Sequence, residues 1–411
     1  MKLRDYQETT STDAAHTIKD YGLAYLAWEC RTGKSIAGLV TAQKYGAKKV
    51  LFVTKKKAIQ SVKSDYRELQ KLTILFEIEV INYESVHKAS IKPDFVILDE
   101  AHCLGAYPKP CKKAKELKKI CEGLPILFMS GTPTPESYSQ LYHQLWVSSS
   151  SPFAEYKNFY FWARDYVNVK QKKVNGHTIN DYSHAFKNKI DREVNHLFFD
   201  YTQEEAGFSC DINEFDLNCP ILPDTLSMMK KLRRDKVVEL SNGEVILTDT
   251  QAKLLTKLHQ LSGGTIITEN GNHLIIDKSR ARALKNHFAG QKLAIFYVYK
   301  SEYELLKEIF PNHTDSPEEF QSSPDKTFIT QIKRGREGIR LDTADSIVFY
   351  STEYSYLSYE QGKNRIVSKE RKDPANVYFC ISDGGIEKDI LEAVRNKKDF
   401  TLSWYKSRNQ F

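Results

Sequence analysis

From residue 23 onward, short apolar runs alternate with longer stretches of helical spacing. LAYLAW (23–28), KVLFVT (49–54), FEIEVINY (76–83), DFVILDEAH (94–102) and ILFMSGTP (126–133) read as strands, and SIAGLVTAQKY (35–45) has the period of a helix. Strands that are apolar throughout and separated by helices predict a parallel α/β sheet covered on both faces. Several of these runs end in polar residues: Thr54, Asp99-Glu100 and Ser130-Gly131-Thr132. In open α/β sheets ligands sit at the carboxyl ends of strands, so these ends predict one shared site.

The texture changes after SSSSP (148–152), which reads as a linker. An aromatic helical stretch (153–166) and a basic segment (170–177) follow. Asn242-Gly243 and Asn270-Gly271 are each flanked by β-formers and predict hairpins over 237–248 and 265–277, with an amphipathic helix (250–261) between them. From residue 278 the α/β pattern returns, with strands over 292–299, 326–332, 345–351 and 376–382. The pattern predicts three regions: an α/β lobe over 1–150, a mixed helical and hairpin insertion over 151–277, and a second α/β lobe over 278–411.

Composition adds modest limits. Hydrophobic residues make up 41% of the 411, enough for real cores. Lys and Arg number 60 against 53 Asp and Glu, a net charge of +7 that permits a nucleic-acid partner without establishing one. No apolar run approaches the ~20 residues of a membrane helix, and no signal peptide opens the chain. The seven cysteines form no C-x-x-C pair, which argues against zinc knuckles and a disulfide framework. The expected setting is the reducing cytoplasm.

The chemistry concentrates at two places. WECRTGKS (28–35) lies between a strand and a helix, where a phosphate loop belongs, although Trp28 stands at the usual first glycine. The helix start offers N–H donors to phosphate, Lys34 would reach the β- and γ-phosphates, and Ser35 would ligate Mg2+. By itself G-K-S is weak, since a helix opening with an incidental lysine is common. Asp99-Glu100-Ala101-His102 closing an apolar strand strengthens it: Asp99 would serve the metal, and Glu100 would orient and deprotonate water. Elsewhere, Lys55, Lys56 and Lys57 at a strand end are candidates for a phosphate backbone, with solvated surface as the plainer alternative. Lys230, Lys231, Arg233, Arg234 and Lys236 are a weaker candidate. The aromatics of 153–166 read as core rather than a base-stacking platform. No further carboxylate cluster suggests a nuclease.

With these motifs in order, the chain resembles superfamily 2 helicases and translocases, in particular the Snf-like branch in a compact phage form. LRDYQ (3–7) resembles the adenine-reading motif, WECRTGKS motif I, DEAH motif II and SGTP (130–133) motif III. FVTKKKAIQSV (52–62) and INYESV (81–86) resemble DNA-contacting motifs, REGIRLDTAD (336–345) motif V, and QGKNRI (361–366) motif VI; LHQLSGG (258–264) favours the Snf-like branch. The resemblance implies two RecA-like lobes with ATP held between them. It implies nucleotide contacts from Arg4, Gln7, Arg31, Thr32, Gly33, Lys34, Ser35 and Gly338, and metal ligation by Ser35 and Asp99. Catalysis falls to Lys34, Asp99, Glu100, Gln361 and Arg365, and coupling to Ser130 and Thr132. Nucleic-acid contacts fall to Thr54, Lys55, Lys56, Lys57, Asn82, Tyr83, Lys300 and Arg334. The implied cofactors are ATP and Mg2+. The implied partner is forked, branched or duplex DNA, with phage replication or recombination proteins beside it and a monomeric motor in the host cytoplasm. Ser368 stands where the family's second motif VI arginine falls, with Lys369 and Arg371 out of register, and Arg340 stands where Asn is frequent. An RNA helicase and a DNA-binding module without motor activity are the alternatives.

Overall fold

The central strands of the first sheet are apolar along nearly their whole length because both faces are covered. The computed structural model describes residues 3–71, 76–174, 177–208, 210–335, 339–368, 371 and 373–396. Its chain forms two units, divided between residues 206 and 207, and each is built on a six-stranded sheet. In the first unit the strands are β1 (Leu23–Trp28), β2 (Lys49–Thr54), β3 (Glu77–Asn82), β4 (Phe95–Asp99) and β5 (Ile126–Met129), then a hairpin of β6 (Lys170–Val174) and β7 (His177–Asp181), then β8 (Phe198–Tyr201). The sheet order is β3-β2-β4-β5-β1-β8, every pair parallel. β1, β4 and β5 are buried at every position, as central parallel strands must be. Helix α1 (Asp5–Tyr21) and helix α2 (Lys34–Tyr45) pack together beside this sheet.

The second unit contains β9 (Ile212–Cys219), the hairpin β10 (Val237–Glu239) and β11 (Val245–Leu247), the hairpin β12 (Thr265–Ile267) and β13 (His273–Ile275), and then β14 (Leu293–Tyr297), β15 (His313–Thr314), β16 (Thr327–Gln331), β17 (Ser346–Phe349) and β18 (Ala375–Ser382). Its sheet runs β15-β16-β14-β17-β18-β9, again all parallel. Both expected Asn-Gly hairpins form, with Gly243 at φ +79° and Gly271 at φ +82°, the left-handed conformation such turns require. A third hairpin, β6–β7, spans residues 175–176, which lie outside the described residues.

Residues 151–277 are shared between the two units. The aromatic helix Phe159–Tyr166 is capped by Asn158, whose side chain accepts from the Tyr160 and Phe161 amides, and it buries Phe159 and Trp162 beside Phe153 in the first unit's core. β8 completes the first sheet and β9 the second. β9 escapes a search for apolar runs because polar residues interrupt it (INEFDLNC) and only Cys219 is buried, as the edge position of this strand allows. Among the described residues no helix is long and apolar enough to cross a membrane.

The second unit buries charge. Arg280, 1% exposed, donates to Glu387 Oε1 at 2.6 Å, to the Ser262 carbonyl at 2.7 Å and to the Cys380 carbonyl at 2.6 Å. Nearby, fully buried Glu302 accepts from the Val298 and Tyr299 amides (3.0 and 2.9 Å) and from Ser351 Oγ (2.7 Å), and burial pushes its carboxyl up to about 7. The folded state thus holds this proton more tightly than the unfolded chain. Its stabilisation is complete below the unfolded value of 4.5 and is lost as pH rises through about 7. Glu302→Gln removes that dependence. In urea unfolding from pH 4.5 to pH 8, the stability difference should shift in favour of the Gln variant by on the order of 3 kcal/mol. A pH-independent difference would show that Glu302 does not carry the shift.

Candidate functional site

The sheet order places the carboxyl ends of β2, β4, β5 and β1 side by side. The polar residues beyond each run therefore meet at one edge. β1 ends at Trp28, which is fully buried with its indole in the core, its ring centroid 5.6 Å from that of Tyr6 and 5.4 Å from that of Tyr201. A residue that closes a strand and fills a core needs a side chain rather than a glycine. The backbone turns later, with left-handed conformations at Arg31 (φ +65°) and Gly33 (φ +89°) before α2 begins. A Cβ on Gly33 would lie 2.4 Å from Gln7 Nε2, so both conformation and space demand glycine there.

The loop is braced on several sides. Lys34 Nζ donates to the carbonyls of Trp28 (2.7 Å) and Glu29 (2.8 Å). Buried Thr32 donates its hydroxyl to the Glu29 carbonyl at 2.8 Å. From α1, Tyr6 Oη donates to the Thr32 carbonyl (2.8 Å) and Gln7 Nε2 to that of Gly33 (3.2 Å), while Gln7 Oε1 accepts from the Arg4 amide (3.1 Å). Arg4 extends its guanidinium to Tyr6 Oη at 2.7 Å. Ser35 lies in the first turn of α2.

Two strands away, Asp99 Oδ2 accepts from Thr54 Oγ1 at 2.8 Å and Oδ1 from the Glu100 amide at 3.0 Å. Burial raises the Asp99 carboxyl to about 6, Glu100 adds to the rise, and Thr54 and Lys34 oppose it. Glu100 takes a left-handed conformation (φ +55°) immediately after this carboxylate, a local strain of the kind concentrated at functional sites. His102 Nδ1 lies 3.2 Å from Glu100 Oε2 and 2.9 Å from Ser130 Oγ, and that hydroxyl accepts from the Thr132 amide at 3.1 Å. The end of β4 and the loop after β5 are thus joined through one imidazole. A hydroxyl (Ser35) and a carboxylate (Asp99) are hard oxygen donors suited to Mg2+, which is ordinarily held by one or two carboxylates plus phosphate oxygens rather than by a protein cage.

Other expected residues are placed differently. Thr54 and Tyr83 are buried, and Tyr83 Oη donates to the Asp99 carbonyl at 2.6 Å, so in this structure both support motif II from inside rather than facing outward for nucleic acid. Asn82 is also buried, Lys55 is partly buried, and Lys56 and Lys57 are exposed just beyond β2. In the second unit Gln361 and Arg365 sit near the end of the helix Tyr356–Lys363, where Arg365 Nε donates to the Gln361 carbonyl at 3.0 Å. The Arg371 guanidinium is committed to main-chain carbonyls, including that of Ala344 at 2.7 Å and that of Asp373 at 3.2 Å, which makes it a structural tie. Lys300 and Arg334 are exposed and line a cavity of about 340 Å³ at the ends of β14 and β16, with Tyr297, Asp315 and Gln331. Gly338 and Lys369 lie outside the described residues.

Sequence reasoning missed Gln203. Its amide donates to Glu29 Oε2 at 2.7 Å and its side chain to the Cys30 carbonyl at 2.9 Å. The available signal was the apolar run FFDY before it, which is β8 pairing with β1 in register Trp28↔Tyr201. Arg31 invites a test of its backbone. Because a Cβ at positive φ is strained, Arg31→Gly should be more stable than Arg31→Ala by about 1 kcal/mol in chemical denaturation. Equal stabilities would mean that the left-handed turn is not held in solution.

No family model matches the chain. In sequence it is similar to human chromodomain-helicase-DNA-binding protein 1, 25% identical over 175 residues, 43% of this chain and 10% of that protein. The protein CHROMATIN REMODELING 5 of Arabidopsis thaliana is 23% identical over 203 residues, 49% of this chain and 10% of its own length. The chromatin-remodeling ATPase INO80 of Drosophila melanogaster is 24% identical over 152 residues, 33% of this chain and 9% of its own. The chain thus spans about a tenth of the length of these relatives. Among solved structures, the ATP-dependent Type ISP restriction-modification enzyme LlaBIII bound to DNA matches with a TM-score of 0.54 at 14% identity, covering 98% of this chain and 30% of that one. That likeness extends to the fold: two RecA-like α/β lobes in tandem.

Proposed function

We propose that the chain is an ATP-dependent DNA translocase of superfamily 2, in the Snf-like branch, acting on forked or branched DNA in phage replication, recombination or repair. The observation that carries the reading is the juxtaposition of Lys34, at the start of α2, with Asp99 and Glu100, two strands away along the same sheet edge. Lys34 follows β1, and β1 and β4, which ends in Asp99, flank β5 in the sheet. A phosphate-directed cation and a metal-directed carboxylate in that relation suit phosphoryl transfer to water. The chromatin-remodelling relatives and the DNA-bound structural neighbour support DNA as the track.

In this reading the amides of Thr32–Ser35 and the Lys34 ammonium hold the phosphates, Gln7 and Arg4 meet the base, and Arg31 adds charge beside the loop. Ser35 and Asp99 would hold Mg2+, which would supply positive charge against the developing charge on the phosphate oxygens. Glu100 orients the attacking water and takes its proton, and the His102–Ser130–Thr132 chain couples that carboxylate to the loop after β5. Gln361 and Arg365 serve the transition state. Lys55, Lys56, Lys57, Lys300 and Arg334 contact the nucleic acid, with Gly338 as a further nucleotide contact.

The test is ATP turnover and strand displacement on single-stranded, duplex, forked and four-way DNA, with RNA as a parallel arm. DNA should stimulate turnover, and Lys34→Ala should lower kcat/KM at least 100-fold, a loss of about 3 kcal/mol of transition-state stabilisation. Arg371→Lys should retain turnover, since its guanidinium is tied to carbonyls, whereas Arg365→Lys should lower kcat. Stimulation by RNA alone would reassign the track. Tight DNA binding with turnover indifferent to Lys34→Ala would make the protein a binding module.

A further inference from the structure

Glu29 is bonded through every polar group it has. Its amide donates to the Tyr201 carbonyl at 2.9 Å, and its own carbonyl accepts from Lys34 Nζ and Thr32 Oγ1, both at 2.8 Å. Its carboxylate accepts from the Gln203 amide at 2.7 Å, and the Gln203 side chain reaches the next carbonyl of the loop, at Cys30. The phosphate loop is therefore laced to the segment that follows β8. On its other side that segment is a closed turn. Glu205 Oε2 accepts from the Thr202 amide (2.7 Å) and hydroxyl (2.8 Å), the Glu205 amide returns to Thr202 Oγ1 (3.1 Å), and the Ala206 amide donates to the Thr202 carbonyl (3.1 Å). Tyr201 Oη closes it further by donating to the Glu205 carbonyl at 3.0 Å, and the Tyr201 ring stacks on Tyr6 with centroids 4.2 Å apart. One residue beyond this turn, at Gly207 (φ +80°), the chain enters the second unit.

We infer that Gln203 is a positioning residue that makes the 202–206 turn, and with it the segment leading into the second unit, responsive to what the phosphate loop holds. The inference rests on the reading of 28–35 as a nucleotide loop. To meet phosphate oxygens, the Lys34 ammonium must exchange its bonds to the Trp28 and Glu29 carbonyls. Glu29 then loses a cationic partner from the same residue whose carboxylate and neighbouring carbonyl hold Gln203. Two hydrogen bonds into a turn closed by its own bonds move that turn as a unit, so the change arrives at residue 206 rather than dissipating within the loop. No chemical step passes through Gln203. It transmits position, a role for which a short polar bridge between two rigid pieces suffices.

Backbone amide exchange over 198–208 in the full chain, with and without Mg-ADP or a non-hydrolysable ATP analogue, reads this directly. Saturating nucleotide should change protection of the Gln203 and Ala206 amides at least fivefold in the unaltered protein. In Gln203→Ala and Glu29→Ala, each brought to saturation by its own nucleotide titration, the change at Ala206 should fall below twofold. The stimulation of ATP turnover by DNA should fall at least tenfold in Gln203→Ala. Nucleotide binding that leaves 198–208 unchanged would overturn this inference alone. So would a Gln203→Ala variant with the full exchange response and full DNA stimulation. A protein that binds no nucleotide would overturn both this inference and the functional reading beneath it.

Discussion

The two hydrogen bonds from Lys34 Nζ to the carbonyls of Trp28 and Glu29 are the interaction around which the first unit is organised. An ammonium set among loop carbonyls is a strong local constraint, because charge-assisted hydrogen bonds are about twice as strong as neutral ones. They fix the loop's path between β1 and α2, and that path in turn requires left-handed backbone at Arg31 and Gly33. The usual first glycine is dispensable because its position belongs to the strand, not to the turn. Trp28 occupies it as a core residue packed against Tyr6 and Tyr201. The loop is therefore held by its neighbours: α1 through Tyr6 and Gln7, β8 and its turn through Tyr201 and Gln203.

The parallel sheet supplies the second constraint. Because all its strands point one way, the polar residues that end β2, β4 and β5 are gathered at the same edge as the loop. Asp99 shows the consequence. It is buried, which raises its carboxyl, and it is stabilised by Thr54, by the Glu100 amide and by the charge of Lys34. Placing a carboxylate there costs desolvation, and the left-handed Glu100 adds strain. Such local violations of good folding are expected where a site is being prepared for a ligand.

How far the sequence carried the account depends on what kind of signal each element gives. β1 and β5 are apolar throughout, and β2 and β4 are apolar but for their terminal residues, so their existence and the shared edge were legible. The Asn-Gly hairpins were legible from turn chemistry, and the third, across residues 175–176, carries the same dipeptide but sits in a lysine-rich context that obscured it. β8 and β9 were not legible. One is four residues long, and the other is interrupted by polar residues at a sheet edge, so neither produces a sustained apolar run. For the same reason the residues placed by β8, Tyr201 and Gln203, had only the short run FFDY as a signal. Thr54 and Tyr83 were readable as polar residues at strand ends, but only the fold shows that they turn inward to Asp99. Arg371 could be weighed as an alternative to Ser368 by proximity, whereas its engagement with main-chain carbonyls requires the folded chain.

Read as a nucleotide loop, 28–35 exchanges its internal partners for phosphates. A crystal structure of the full chain with Mg2+, ADP and a fluoride analogue of the γ-phosphate tests it most directly. The expected structure has the β-phosphate against the Thr32–Ser35 amides, with Lys34 Nζ withdrawn from the Trp28 and Glu29 carbonyls onto phosphate oxygens. It also has Mg2+ between Ser35 and Asp99. Nucleotide bound elsewhere, or bound with Lys34 still on those two carbonyls, would contradict it.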